Sequence, residues 1–271
     1  MTSTRTEAVE TAKRYPFPRP GHSFLYVDGD ALPLLSLDES LEEAEVDVDG
    51  CSVRAGTLLR QRGIAGPAPL SQRTPVLAYG ANAAPERLQR KFAPVGPAVF
   101  PVLQARLHGF DIVHAAHISS YGAVPATIAP SPGTVCDIAI TCLDARELAR
   151  MHETEFRRHT YRFGPLRNVR LEPDLLPAME TVSTYVGGYG HIAPEGAPLA
   201  LAAIRAESRR FRTCSQTEAL EAIQAMLGVP GPLDDFILGA VDDEAVRLER
   251  TARLRAEAQP FRYADFTATA P

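Results

Sequence analysis

Between Val102 and Leu143 the chain carries three apolar stretches, VLQARLHGFDIVHAAH, GAVPATIAPSPG and TVCDIAITCL, set apart by glycine and proline. That punctuation interrupts a helix but suits short strands joined by turns. Further strand-like stretches follow in HTYRF, RNVRL and METVSTYVGG. So many short strands in succession predict a barrel or a strongly curved sheet.

Helical signals lie on either side of these strands. DARELARMHETEF reads as a helix, with Asp144 as cap and Glu147 three residues on completing a capping box. Beyond about Ala197 the character turns helical: PLALAAIRAESRRF and SQTEALEAIQAML are both amphipathic, Ser215 and Glu218 repeat the capping signature, and DDEAVRLERTARLRAEA completes the series. Upstream, HSFLYVDGDALPLLSL suggests strand and turn, DESLEEAEVDVDG a solvated acidic surface, and GIAGPAPLSQRTP a connector. These shifts divide the chain into a tail and extension over residues 1–72, a central unit over 73–196 and a helical C-terminal part over 197–271.

The 271 residues can bury a substantial core in one or two domains, and 45% hydrophobic with 23% charged residues is ordinary for a globular protein. A net charge of −5 argues against a nucleic-acid or anionic-membrane partner. The basic cluster Arg205, Arg209, Arg210 and Arg212 reads as solvated charge on a helix. The cysteines, Cys51, Cys136, Cys142 and Cys214, form no CxxC pair and read as buried reduced thiols, which suits a cytoplasmic location. Cys136 and Cys142 lie an even number of residues apart and so share one face of a strand. No apolar run approaches the roughly 20 residues that span a bilayer. The opening MTSTRTEAVETAKRYPFPRPG lacks the apolar centre of a signal peptide and reads as a mobile tail.

Two places carry chemistry. In PVLAYGANAAPERLQRKF a buried strand runs through a glycine turn into a helix whose Leu88 and Phe92 share a face. Such a junction exposes backbone N–H groups to a carboxylate or phosphate, with Gly80 allowing close approach, Asn82 placed to cap the helix and a proline tolerated in its first turn. A plain capped turn is the simpler reading. Neither a Walker loop nor a dinucleotide fingerprint is present.

The second place is the helix from 144 to 155. Leu148, Met151 and Glu155 fall on one stripe, and Glu153 falls on the other side. A glutamate on an apolar stripe is either at a fraying end or held in a partly desolvated site. In the second case its pKa rises toward that of a general acid/base. The alternative is a salt bridge to Arg157 or Arg158, or plain solvent. His114 and His117 are an odd step apart on a strand and make poor co-ligands, while His152 and His159 flank Glu155; a packed or surface histidine is the default for each. No nucleophilic-serine motif and no metal-ligand spacing is found.

Taken together, LAYGAN, then YGAVPATIAPSPGTVCDIAI, then LDARELARMHETE, resemble the gamma-glutamylcyclotransferase-like family over roughly residues 73–190. The resemblance implies an α+β fold: a small mixed or antiparallel barrel-like sheet with flanking helices. It also implies substrate binding by the turn Tyr79, Gly80, Ala81 and Asn82, and a catalytic glutamate at Glu155. In that family the turn amides hold the carboxylate end of a gamma-glutamyl group. The glutamate handles the proton of the α-amine, which attacks its own side-chain amide and closes 5-oxoproline. Two departures stand out: Ala81 replaces a common serine, and His152 replaces an aspartate.

The expected protein is therefore an enzyme acting on a small-molecule amide, without metal or cofactor. Hydrolysis of a related amide and a non-catalytic binding protein are the alternatives. Residues 1–72 and the C-terminal helices are left to shape a leaving-group pocket, lid the site or form a homodimer interface.

Overall fold

The computed structural model describes residues 2–156 and 160–269. The chain opens with helix α1 (Thr2–Lys13), hairpin β1 (Phe24–Val27) and β2 (Asp30–Ser36), hairpin β3 (Glu45–Val48) and β4 (Cys51–Arg54), and helix α2 (Ala55–Gln61). The Asp28–Gly29 turn joins β1 to β2 as expected, with both residues at positive φ. The opening segment corrects the mobile-tail reading. Val9 and Ala12 pack with the C-terminal helices, and Tyr15 and Phe17 enter the main core. Its sequence is polar because α1 has one buried edge only, too narrow to register as a pattern.

Next come β5 (Thr74–Ala78), α3 (Pro85–Phe92), β6 (Val99–His114), β7 (Ala126–Leu143), α4 (Ala145–Glu155), β8 (Tyr161–Pro173) and β9 (Met179–Gly187). β6 pairs with β7, β7 with β5, β5 with β9, β9 with β8 and β8 with β6, so five strands close a ring. The β5–β9 pair is parallel and the others antiparallel, making a mixed barrel. β1 continues the sheet outward from β6.

Two of the glycine and proline breaks are bulges inside strands rather than strand ends. Gly109 sits within β6 at φ +80, and the pairing steps from His108↔Val135 to Phe110↔Pro130. Ser131, Pro132, Gly133 and Thr134 thus bulge out of β7, tied by a Ser131–Thr134 hydroxyl contact of 2.7 Å. Two long strands bent by bulges close a small barrel without separate corner strands.

After β9 the chain forms β10 (Leu199–Leu201), β11 (Ala206–Glu207) and β12 (Arg212–Cys214), then α5 (Gln216–Met226), α6 (Leu233–Asp242) and α7 (Glu244–Ala256). PLALAAIRAESRRF is therefore not a helix. β10 pairs with β6 and β12, and β11 with β7, so edge pairing decides its conformation over its helical pattern. The Ser215–Glu218 capping box at α5 is present as expected.

Strand alternation sorts the core. On β7 Cys136, Ile138, Ile140 and Cys142 point into the barrel, as do Leu77 of β5 and Tyr79 just past its end. Val76, Ala78, Ala139 and Leu143 face outward, where Leu88 and Phe92 of α3 and Met151 of α4 cover them. The large apolar ones, such as Leu88, Phe92 and Met151, each contribute about 1.5–3 kcal/mol by leaving water. Cys136, Cys142 and Cys214 are buried free thiols, but Cys51 is exposed, at the tip of the β3–β4 hairpin. No helix among the described residues is long and apolar enough to cross a membrane.

Candidate functional site

The C-terminal ends of β5, β6 and β9 and the first residues of β7 and β8 meet at one end of the barrel. A cavity of about 750 Å³ opens there. Tyr79, Gly80, Ala81, Asn82 and Glu155 all line it, so the turn and the helix-terminal glutamate share one hollow.

The turn is built differently from the expected cap. Ala81–Ala83 form one tight turn, and Ala84, without a side-chain bond, precedes Pro85 at the first position of α3. Asn82 is thereby free of capping. Its Nδ2 donates to Glu155 Oε1 at 3.2 Å and its Oδ1 accepts from Lys91 Nζ at 2.7 Å. The amides of Ala83 and Ala84 close the turn on the carbonyls of Gly80 and Ala81. Those of Gly80, Ala81 and Asn82 make no backbone bond among the described residues, which leaves them for a ligand.

Gly80 is required by contact rather than by a positive φ, since its φ is −120°. A Cβ there would collide with the hydroxyl of Tyr15. That hydroxyl accepts from Ala126 N at 2.7 Å, and Tyr161 Oη donates to Ala126 O at 2.9 Å. The PAT segment thus fixes two phenols against the turn. Tyr79 Oη donates to the carbonyl of Tyr185. Burial raises the pKa of Tyr15, Tyr79, Tyr161 and Tyr185, which keeps them neutral hydrogen-bonding groups.

Helix α4 brings Glu155 to the cavity. Its capping box is present, and Glu147 also accepts from Val99 N at 3.0 Å and pairs with Arg73 at 2.8 Å. Eight residues on, Glu155 closes the helix at its negative dipole end, where a carboxylate needs compensation. Lys91 Nζ supplies it at 2.5 Å from Oε1. Both Asn82 and Lys91 bind Oε1, and Oε2 has no partner among the described residues. Burial pushes the Lys91 ammonium to a lower pKa, against the opposing pull of Glu155. Glu153 is exposed and pairs with Arg150, on the other side of the helix as expected. Arg157, Arg158 and His159 lie outside the described residues.

Sequence reasoning did not single out Lys91, Tyr15, Arg87 or His117 for the site. Lys91 follows Leu88 by three residues, and that spacing put it on the buried face. Arg87 lies over the rings of Phe17 and Tyr121 at 4.6 and 4.7 Å and has no carboxylate partner among the described residues. His117 lines the cavity, whereas His114 is buried with Nε2 3.1 Å from the carbonyl of Cys214. His152 faces elsewhere, its Nδ1 2.7 Å from Tyr185 Oη. Among the described residues no three His, Cys, Asp or Glu side chains gather as a metal site.

In overall structure the chain is similar to gamma-glutamyl cyclotransferase. A gamma-glutamyl cyclotransferase of known structure aligns with 16% identity and a TM-score of 0.34, over 71% of this chain and 91% of that one. An uncharacterized protein from Homo sapiens gives 16% identity and a TM-score of 0.35, over 71% of this chain and 92% of the other. A protein from Arabidopsis thaliana gives 18% identity and a TM-score of 0.33, over 43% of this chain and 63% of the other. No protein-family model and no curated protein matches the chain. The likeness is one of fold.

Proposed function

We propose that the chain is a cyclotransferase that cleaves a gamma-glutamyl amide, or a related ω-acyl amide, by intramolecular attack. The observation that carries this reading is the one cavity lined by both Glu155 and the turn Gly80, Ala81 and Asn82, whose amides have no backbone partner among the described residues. The amides receive the α-carboxylate of the substrate, which places its α-amine toward Oε2 of Glu155. That oxygen takes a proton from the α-ammonium. The freed amine forms a bond to the side-chain carbonyl carbon and sheds its second proton, the carbon–nitrogen bond of the amide breaks, and the leaving amine departs as an ammonium with both protons, relayed one after the other through Glu155. The products are 5-oxoproline and an amine, with no water consumed and no external reagent.

Intramolecular attack depends on holding the substrate folded more than on a strong nucleophile. The rigid aromatic wall of Tyr15, Tyr79, Tyr161 and Tyr185 suits that task. The ion pair with Lys91 fixes the carboxylate in one orientation, and Asn82 ties it to the turn. Incubating wild type and Glu155→Gln with gamma-glutamyl amides tests the assignment. Loss of 5-oxoproline in the variant is expected, and unchanged production overturns the role of Glu155. A gain of water in the acyl product, read by mass spectrometry, identifies hydrolysis instead.

A further inference from the structure

The proposed reaction leaves one developing charge without a partner. As the α-amine attacks, the amide carbonyl oxygen becomes an oxyanion. The turn amides are engaged by the α-carboxylate and Glu155 by the migrating proton. An oxyanion in an enclosed site needs a donor fixed in advance.

We infer that His117 is that donor, a neutral imidazole whose Nε2–H bonds the carbonyl oxygen of the cleaved amide. This deepens the cyclotransferase reading and rests on it. His117 lines the cavity with Glu155 and the turn. Its backbone is held from both sides: Ala115 N bonds Pro125 O at 2.7 Å, Ala116 N bonds Gly190 O at 3.0 Å, and Ile118 N bonds Thr251 Oγ1 at 3.2 Å. Tyr161 and Tyr189 meet the imidazole edge to face at 5.5 and 6.2 Å, which sets its plane. Such rigidity is what separates a placed donor from a nearby one.

The two ring nitrogens are not equivalent. Nδ1 is sealed from solvent and has no partner among the described residues, and Nε2 is not among the atoms sealed in this way. A sealed N–H without an acceptor is rarer and costlier than a sealed lone pair. The proton is therefore assigned to Nε2, the nitrogen not sealed in this way, on a ring that lines the cavity. Burial keeps the ring neutral by pushing its pKa down to about 4, although Glu155 pulls the other way. Neutrality matters chemically, because an imidazolium facing Glu155 would compete with the α-ammonium for its carboxylate. A neutral ring polarises the carbonyl without that competition. His117 forms no covalent bond and keeps its proton throughout.

The imidazole ¹⁵N spectrum of the labelled wild-type protein tests the tautomer independently of activity. A proton on Nε2, a bare Nδ1, and no titration from about pH 8 to about pH 5 are expected; a proton on Nδ1, or a cation within that range, overturns the proposal. In kinetics, His117→Phe keeps the ring contacts and loses the donor. It should lower kcat by about 10²–10³ with KM and the pH limbs unmoved. His117→Gln returns an N–H near Nε2 and should recover about tenfold over the Phe variant. Undiminished kcat in His117→Phe overturns the proposal while leaving the cyclotransferase reading intact. Should the Phe variant not fold, the Gln variant and the native spectrum decide. If the wild type yields no 5-oxoproline from any amide while its spectrum still shows a neutral Nε2–H, the parent reading fails and the role assigned to His117 fails with it.

Discussion

The two ends of α4 each carry a glutamate paired to a cation from another element, and they are built for different ends. At the start of the helix Glu147 spends both oxygens: Oε1 accepts from Val99 N, and Oε2 accepts from Asp144 N and Arg73. Its side chain is 2% exposed and that of Arg73 0%. At the other end Glu155 spends only Oε1 on partners among the described residues, and its side chain is 15% exposed beside a cavity. A carboxylate with every lone pair engaged can hold a fold together but has nothing to offer a substrate. One with an idle oxygen and an open side can take a proton.

The largest expected effect is at the open end. Glu155→Gln keeps an acceptor for Lys91 and Asn82 but removes the proton site. Its 5-oxoproline production should fall by about 10²–10⁴, with a smaller change in denaturation midpoint than any loss at Glu147. A variant that unfolds readily yet turns over normally would reverse the contrast between the two ends.

Glu147→Ala comes next. It leaves the Arg73 guanidinium buried without its counter-charge and removes half of the capping box, at a cost of about 3–5 kcal/mol in chemical denaturation. Activity at temperatures where the variant stays folded should be nearly retained. A cost below about 1 kcal/mol would mean that Arg73 finds water, and that the N-terminal end of α4 is not the anchor.

His117 sharpens the comparison through pH. Its native pKa is depressed by burial from 6.5 to about 4. As pH falls between those values the unfolded chain binds a proton there and the native one does not. Stability present above the ordinary histidine pKa is thus lost as pH falls toward 4, by about 1.4 kcal/mol per unit and about 3 kcal/mol in all. His114, His152 and His191 are depressed in the same direction, so any single variant retains part of the slope. The difference between wild type and His117→Phe across that range isolates His117. Parallel stability curves would mean that the ring is solvated rather than sealed.

These effects rest on features that were unequally legible in the sequence. The stripe Leu148–Met151–Glu155 was readable because a helix repeats at a fixed angle, and the capping boxes at Asp144 and Ser215 because their bonds are local. The glycine turn at residue 80 was visible too, but its reason was not: the atom that excludes a Cβ is the Tyr15 hydroxyl, far away in the chain. Lys91 carried a local signal, three residues after the buried Leu88, that a charged letter conceals. His117 carried none. Its place depends on β6 ending where the barrel closes, and closure is set by pairings such as Val76↔Ser183 that join strands more than a hundred residues apart. The stretch 199–214 misled for the same reason, since sheet edges that accept a strand are not written in the strand itself.

The smallest effect is the most direct test of what distinguishes the ends of α4. Glu153 lies two residues before Glu155 and pairs with Arg150 at 2.7 Å, nearly as short as the 2.5 Å contact of Glu155 with Lys91. The side chain of Glu153, however, is 62% exposed. Water already solvates both of its oxygens, so the pair adds little beyond what solvent gives. Glu153→Gln should change stability by less than about 0.5 kcal/mol and leave 5-oxoproline production unaltered. If it instead costs as much as Glu147→Ala, ion-pair distance rather than enclosure governs the carboxylates of this helix, and the idle oxygen of Glu155 loses its claim to be special.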